Sequence, residues 1–237
     1  MDISKVRAIL FDLDGTLYYQ PPLRMLMGFE LSTLPLTMGS LAKTRSVLEV
    51  IKQFRTIREE LRHLGNPSEC LKEIQYQQAS KVVGVKAEEV KRIVEEWMYH
   101  RPLKYLKWCR RMGAISFFTE AQRRGIKIGV FSDYPAQEKL EALELESFVQ
   151  LVLCATDKEI NAFKPHPRGF LRACECWGLP PQEVLYVGDR PEVDGKGALA
   201  AGMPCMMVGG TFQRPSQGSV SEENISSFRG LQQLLSS

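Results

Sequence analysis

The chain has 237 residues, 44% of them hydrophobic and 25% charged, with a formal net charge of +3. That balance is ordinary for a folded domain and excludes a chain too polar to bury a core. It also lacks the strongly basic signature of a nucleic-acid binder. No run approaches the ~18 apolar residues that cross a bilayer. The opening Met1-Asp2-Ile3-Ser4-Lys5 carries no apolar leader, so the expectation is a cytoplasmic protein with no membrane partner.

Residues 7–11, Arg-Ala-Ile-Leu-Phe, read as a short apolar strand of the kind that fills the middle of a parallel sheet. It ends in Asp12-Leu13-Asp14-Gly15-Thr16-Leu17. Tyr18-Tyr19-Gln20-Pro21-Pro22 then breaks the pattern: it neither continues a strand nor easily begins a helix. Residues 23–40 give no firm assignment. From 41 to 64, Val47, Ile51, Phe54, Ile57, Leu61 and Leu64 recur at helical spacing, and Gly65-Asn66-Pro67 stops the run. A second helix is expected over 68–82 with Ser68 as its N-cap, and a third over 87–99. A fresh start at Pro102 leads to Gly113.

The second half alternates. Helices are expected over 115–124, 135–148, 167–177, 192–201 and 226–235. Strands are expected over 126–131, 151–154, 184–187 and 205–208. This order predicts an α/β fold: a Rossmann-like parallel sheet with helices on both faces. Residues 18–112 are expected to form an inserted all-helical domain, with 1–17 and 113–237 forming the sheet domain. The insert carries 17 Lys/Arg against 10 Asp/Glu, an excess of 7, so the remainder of a +3 chain is at −4. Cys70, Cys109, Cys154, Cys174, Cys176 and Cys205 show no zinc-type or Cys-x-x-Cys spacing and are expected to be reduced, packed thiols.

Parallel crossovers place every strand's carboxyl end on one edge, where open α/β sheets bind ligands. That edge collects Asp12 and Asp14 from the first strand, Ser132 and Asp133 from the second, Lys164 from the loop after the third, and Asp189 and Asp194 after the fourth. Asp12 and Asp14, spaced i, i+2, share a strand face. Two buried like charges there ask for a cation, a shared proton, or both. Each residue alone has a plainer reading: Asp-Gly makes a turn, Ser132 starts a helix, Lys164 is a solvated loop lysine. Together, several carboxylates, a lysine and a hydroxyl suit a divalent cation and a phosphoryl group.

Phe11-Asp12-Leu13-Asp14-Gly15-Thr16-Leu17 resembles the first signature of the haloacid dehalogenase-like (HAD) hydrolase superfamily. Val130-Phe131-Ser132-Asp133 resembles the second, Lys164-Pro165 the third, and Val187-Gly188-Asp189 with Asp194-Gly195-Lys196-Gly197-Ala198 the fourth. A helical insertion after the first signature is similar to the family's C1-type cap. The resemblance implies a phosphatase of small phosphorylated metabolites. Asp12 would be the nucleophile and Asp14 the general acid–base. Mg²⁺ would be held by the Asp12 side chain, the Asp14 carbonyl and Asp189, with Asp194 a ligand or a support for the ligands. Thr16, Ser132, Asp133 and Lys164 would surround the substrate phosphate. A phosphosugar mutase of the same fold, or a non-catalytic binding module, are the alternatives. A monomer or weak homodimer is expected. Asp133 and Arg190 depart from the usual family residues; for Arg190, a salt bridge to Glu192 or Asp194 is favoured over a contact to substrate.

Overall fold

The computed structural model describes residues 5–38, 41–208 and 223–225, together with Phe228, Gly230 and Leu231. Six strands form one parallel sheet: β1 (Ala8–Phe11), β2 (Lys127–Ser132), β3 (Leu151–Cys154), β4 (Val184–Gly188), β5 (Cys205–Val208) and β6 (Glu223–Ile225), in the order β3-β2-β1-β4-β5-β6. The central strand β1 is wholly buried, as its unbroken apolar run requires. Its side chains alternate between two cores. Ala8 and Leu10 join one with Phe170, Ala173 and Ala198, while Ile9 and Phe11 join the other with Phe117, Phe118 and Leu140. The period of two in β1 therefore fixes which helices cover which face.

Helices α1 (Gln20–Met38), α2 (Leu41–Leu61), α3 (Leu71–Val83), α4 (Ala87–Val94) and α5 (Leu103–Cys109) lie between β1 and β2 in sequence. The sheet helices are α6 (Ala114–Arg123), α7 (Gln137–Ala142), α8 (Arg168–Trp177) and α9 (Lys196–Ala200). The chain leaves the sheet and returns to it side by side: Tyr19 N–H donates to Cys109 O at 2.8 Å and Arg111 N–H to Leu17 O at 3.0 Å. Apolar residues of α2, α3 and α4, among them Phe54, Leu71 and Val90, are continuous with the core on the Ala8/Leu10 face of the sheet. No helix among the described residues is long and apolar enough to cross a membrane.

Several local expectations are corrected. Gln20-Pro21-Pro22 does begin a helix, because the first-turn N–H groups have no intrahelical acceptor and proline loses nothing there. Cys70, not Ser68, precedes α3. The helix expected over 135–148 is cut short: Glu144 takes a left-handed φ of 56°. Arg110 bridges to the Leu143 carbonyl at 2.6 Å and to the Glu144 carboxylate at 2.9 Å, and Lys107 meets Glu144 at 2.6 Å. Over 191–195 the backbone forms one wider turn before α9. The six cysteines are free, but Cys70 and Cys176 are exposed rather than packed. β6 has no counterpart in the sequence reading, and the terminal helix expected over 226–235 lies outside the described residues except for Phe228, Gly230 and Leu231, of which all three are helical.

Candidate active site

The sheet order reverses direction between β1 and β4, and the crevice of such a fold opens there. Asp12 follows β1, and its main-chain N–H donates to Val187 O of β4 at 2.8 Å. The Asp12 carboxylate is almost wholly buried. Lys164 Nζ meets its Oδ1 at 2.6 Å and Thr16 Oγ1 donates to its Oδ2 at 3.2 Å. The same ammonium reaches Asp194 Oδ1 at 2.7 Å and the Tyr186 hydroxyl at 3.1 Å, and Tyr186 donates to Asp194 Oδ1 at 2.7 Å. Lys164 is therefore a buried cation facing two buried carboxylates, an arrangement that offsets desolvation only while its partners stay in place.

Burial pushes the Asp12 carboxyl well above the usual range; Lys164 opposes this, while Asp194, Asp189 and Asp14 add to it. Burial first, then Asp194, pushes Asp189 up to about 6. Burial works against the Lys164 charge, but Asp12 and Asp194 outweigh it and hold the ammonium well above the ordinary lysine range. The site as a whole is thus short of positive charge.

Asp14, two residues on, has different company. Its Oδ1 accepts from Lys139 Nζ at 2.6 Å and from the Tyr18 hydroxyl. Burial works to raise this carboxyl, but Lys139 and the hydrogen bonds from Lys139 and Tyr18 outweigh burial and hold it below the usual value. The Asp14 carbonyl accepts Gln20 Nε2 at 2.6 Å, and the Gly15 carbonyl accepts Arg111 Nη2 at 2.6 Å.

The donor set fits a divalent cation. One carboxylate oxygen each of Asp12, Asp189 and Asp194 lie within 4.8 Å of one another, a hard oxygen cluster suited to such an ion. Asp189 Oδ1 is buried and has no hydrogen-bond partner. A Cβ on Gly15 would stand 2.1 Å from Asp189 Oδ2, so glycine is what lets that carboxylate close on the turn after Asp14. The Asp14 side chain is not part of this cluster. Both Asp194 oxygens are engaged within the protein, Oδ2 by the Arg190 N–H at 3.1 Å.

Ser132 lies at the end of β2, buried, with its Oγ accepting the Tyr134 N–H at 3.1 Å. The Asp133 carboxylate turns to Arg62, at 2.5 Å, and accepts the Lys164 N–H at 3.2 Å. Arg190 pairs with Glu192 at 2.9 Å and reaches Glu59 at 3.4 Å; its side chain does not pair with Asp194. Sequence reasoning missed five residues. Lys139 and Tyr18 hold Asp14, and Tyr186 bridges Lys164 and Asp194. Arg58 of α2 and Arg62, the first residue after it, bind the loop after β2. Arg58 donates to the Asp133 carbonyl and to Gln75 Oε1, between the rings of Tyr134 at 3.7 Å and Phe163 at 4.5 Å. A tyrosine inside a buried strand asks for a hydroxyl partner, which was a usable signal for Tyr186. Nothing local marked Lys139. Beside it, a cavity of about 260 Å³ runs between the helices that follow β1 and the segment around α7, lined in part by Arg58, Lys72, Tyr99, Glu138 and Lys139.

A parallel α/β sheet with a carboxylate and lysine cluster at its topological switch point defines a protein of the Rossmann-like class with a charged ligand site there. The sequence pattern of haloacid dehalogenase-like hydrolases matches residues 6–202, and the chain belongs to that family. A phosphoserine phosphatase of Thermus thermophilus is 35% identical over 98 residues, 40% of this chain and 39% of that protein. A phosphoglycolate phosphatase of Escherichia coli is 34% identical over 94 residues, 38% of this chain and 35% of that one. The chain thus spans about two fifths of the length of these relatives. Among solved structures, a HAD phosphatase from Thermococcus onnurineus superposes with a TM-score of 0.62 at 24% identity, covering 97% of this chain and 98% of that one. A 2-haloacid dehalogenase from Pseudomonas syringae does so with a TM-score of 0.67 at 20% identity, with 98% of both chains covered.

Proposed function

We propose that the protein is a Mg²⁺-dependent phosphatase of small phosphorylated metabolites, working through an aspartyl-phosphate on Asp12. The observation that carries this reading is the separation of two carboxylates on one strand end. Asp12 sits with Lys164 and the acidic cluster, and Asp14 sits apart with Tyr18 and Lys139. Two environments allow two tasks. The presence of Asp14 favours phosphate over halide chemistry, since a departing alkoxide needs a proton and a halide does not. The phosphatase relatives support the same class.

In this reading Asp14, ionised in the free protein, takes up a proton as the anionic ester binds beside it. An Asp12 oxygen attacks phosphorus as the ester P–O bond breaks, and Asp14 gives that proton to the departing oxygen. Water then attacks the phosphorus, Asp14 takes the proton back, and phosphate leaves with Asp12 restored. Lys164, Ser132 and the Asp133 main chain face the phosphoryl oxygens. Thr16 holds one Asp12 oxygen so that the carboxylate cannot swing. Asp12, the Asp14 carbonyl and Asp189 would hold Mg²⁺, braced by Asp194. The cation would supply the positive charge that keeps Asp12 ionised and polarises a phosphate oxygen. Residues 18–112 would act as the cap, and the cavity beside Lys139, with Arg58 and Lys72 on its wall, suits a polar or anionic leaving group.

Turnover of p-nitrophenyl phosphate with and without Mg²⁺ tests the reading. Wild type is expected to require the metal, and Asp12→Asn to lose turnover by at least about 10³-fold with an unchanged melting curve. Near-native activity in Asp12→Asn would remove Asp12 as the nucleophile.

A further inference from the structure

The Asp14 carboxyl is held along one edge. Both of its donors, Lys139 Nζ at 2.6 Å and the Tyr18 hydroxyl, approach Oδ1. Oδ2 is buried and, among the described residues, has no partner. Lys139 comes from α7 and Tyr18 from the first residue after the Asp12–Leu17 turn. They belong to separate elements and meet on the same oxygen. Both are buried, at 6% and 4% exposure, where a donor placed on an anion counts for more than it does in water.

We propose that Lys139 and Tyr18 are positioning residues of the acid–base step: they fix the rotation of Asp14 so that Oδ2 is the oxygen that gives and takes the proton. The proposal rests on the phosphatase reading above. When the ester P–O bond breaks, the proton on Oδ2 passes to the departing alkoxide and a carboxylate forms. Its new negative charge spreads to Oδ1, where the ammonium and the hydroxyl already stand. With Oδ1 held, Oδ2 meets the departing oxygen without a search over rotations of the carboxyl, and such orientation accelerates the step. In the second half the same carboxylate removes a proton from water and the cycle closes. The competing role for Lys139 is direct contact with the substrate, since it also lines the cavity between the helices that follow β1 and the segment around α7.

Two esters separate these roles. p-Nitrophenolate leaves without a proton, whereas the alkoxide of glycerol 2-phosphate requires one. kcat/KM reports events up to P–O cleavage, so it isolates the acid step. Lys139→Met is expected to lower kcat/KM for glycerol 2-phosphate by about 30-fold or more and that for p-nitrophenyl phosphate by less than about 3-fold, with KM little changed. Tyr18→Phe should show the same selectivity to a smaller degree, and it decides the matter alone if Lys139→Met does not fold. Lys139→Arg should recover part of the loss. In an Asp14→Asn background, Lys139→Met should cost nothing further. Equal losses on the two esters, or an additive loss in the Asp14→Asn background, would overturn the proposal and assign Lys139 to substrate contact or scaffolding. Wild-type protein inert towards both esters with Mg²⁺ removes the phosphatase reading, and the proposal with it.

Discussion

Asp133 shows how a single side chain can be read for type and missed for direction. Its position at the end of β2 is evident from the apolar run before it, and the sequence places a negative charge beside a presumed phosphate site. In the structure that carboxylate is spent on Arg62 and on the Lys164 N–H. Burial works to raise its pKa, but Arg62, Lys164 and Arg58 outweigh burial and hold it below the ordinary aspartate value. A depressed folded pKa stabilises the fold above the unfolded value, about 3.9, and that stabilisation is lost as pH falls through the folded value. Asp133→Asn is therefore expected to lower the melting temperature near pH 7, with the gap to wild type narrowing below about pH 4. A gap that stays constant from pH 7 to pH 3, followed by circular dichroism, would contradict the Arg62–Asp133 pairing. Asp12, Asp14, Ser132, Lys164, Asp189 and Asp194 were readable because each stands at a strand end or in the loop beyond it. Lys139, Arg58 and Arg62 were not, because their partners at the site lie far along the chain.

At the scale of elements, the turn after β1 is constrained both by its backbone conformation and by a close neighbour. Gly15 has a φ of 105°, and a Cβ there would meet Asp189 Oδ2 at 2.1 Å. Gly15→Ala is expected to cost about 1–3 kcal/mol of stability from the backbone conformation alone. It should also displace Asp189 and weaken Mg²⁺ binding, measured by isothermal titration on the folded variant. Unchanged stability and metal affinity would show that the turn relaxes freely. Elsewhere, apart from α1 and β6, which the sequence left unassigned, element type was readable from periodicity, and the remaining misses lie at boundaries. Pro21 and Pro22 read as breakers in the sequence, although they occupy the one part of a helix where proline is neutral. Glu144 ends α7 in a left-handed conformation with no glycine to announce it, because Arg110 and Lys107 hold its carboxylate from α5 and from the residue that follows it.

The whole molecule has an uneven charge. Residues 18–112 carry an excess of 7 positive charges, against −4 on the rest. Such an asymmetry steers anionic ligands at low ionic strength and is screened at high. kcat/KM for an anionic phosphate ester is expected to fall as salt rises from about 10 mM to about 500 mM, while that of a zwitterionic ester of similar size changes less. Equal salt dependence for the two would assign the basic charge to a solvated helix surface.

By itself the sequence determined the parallel α/β fold, the helical insertion and the set of residues at the strand ends. Those are local facts: the period of side chains along a strand or helix, and the residue type where each strand stops. Only the tertiary structure decided which of those groups share a charge environment. Hydrogen bonds such as Lys139 to Asp14 and Arg62 to Asp133 join residues 125 and 71 positions apart. No periodicity encodes such distances, and packing alone brings the partners within reach. The seven residues from Phe11 to Leu17 thus carry the family pattern, and the folded chain decides which oxygen of Asp14 is left without a partner among the described residues.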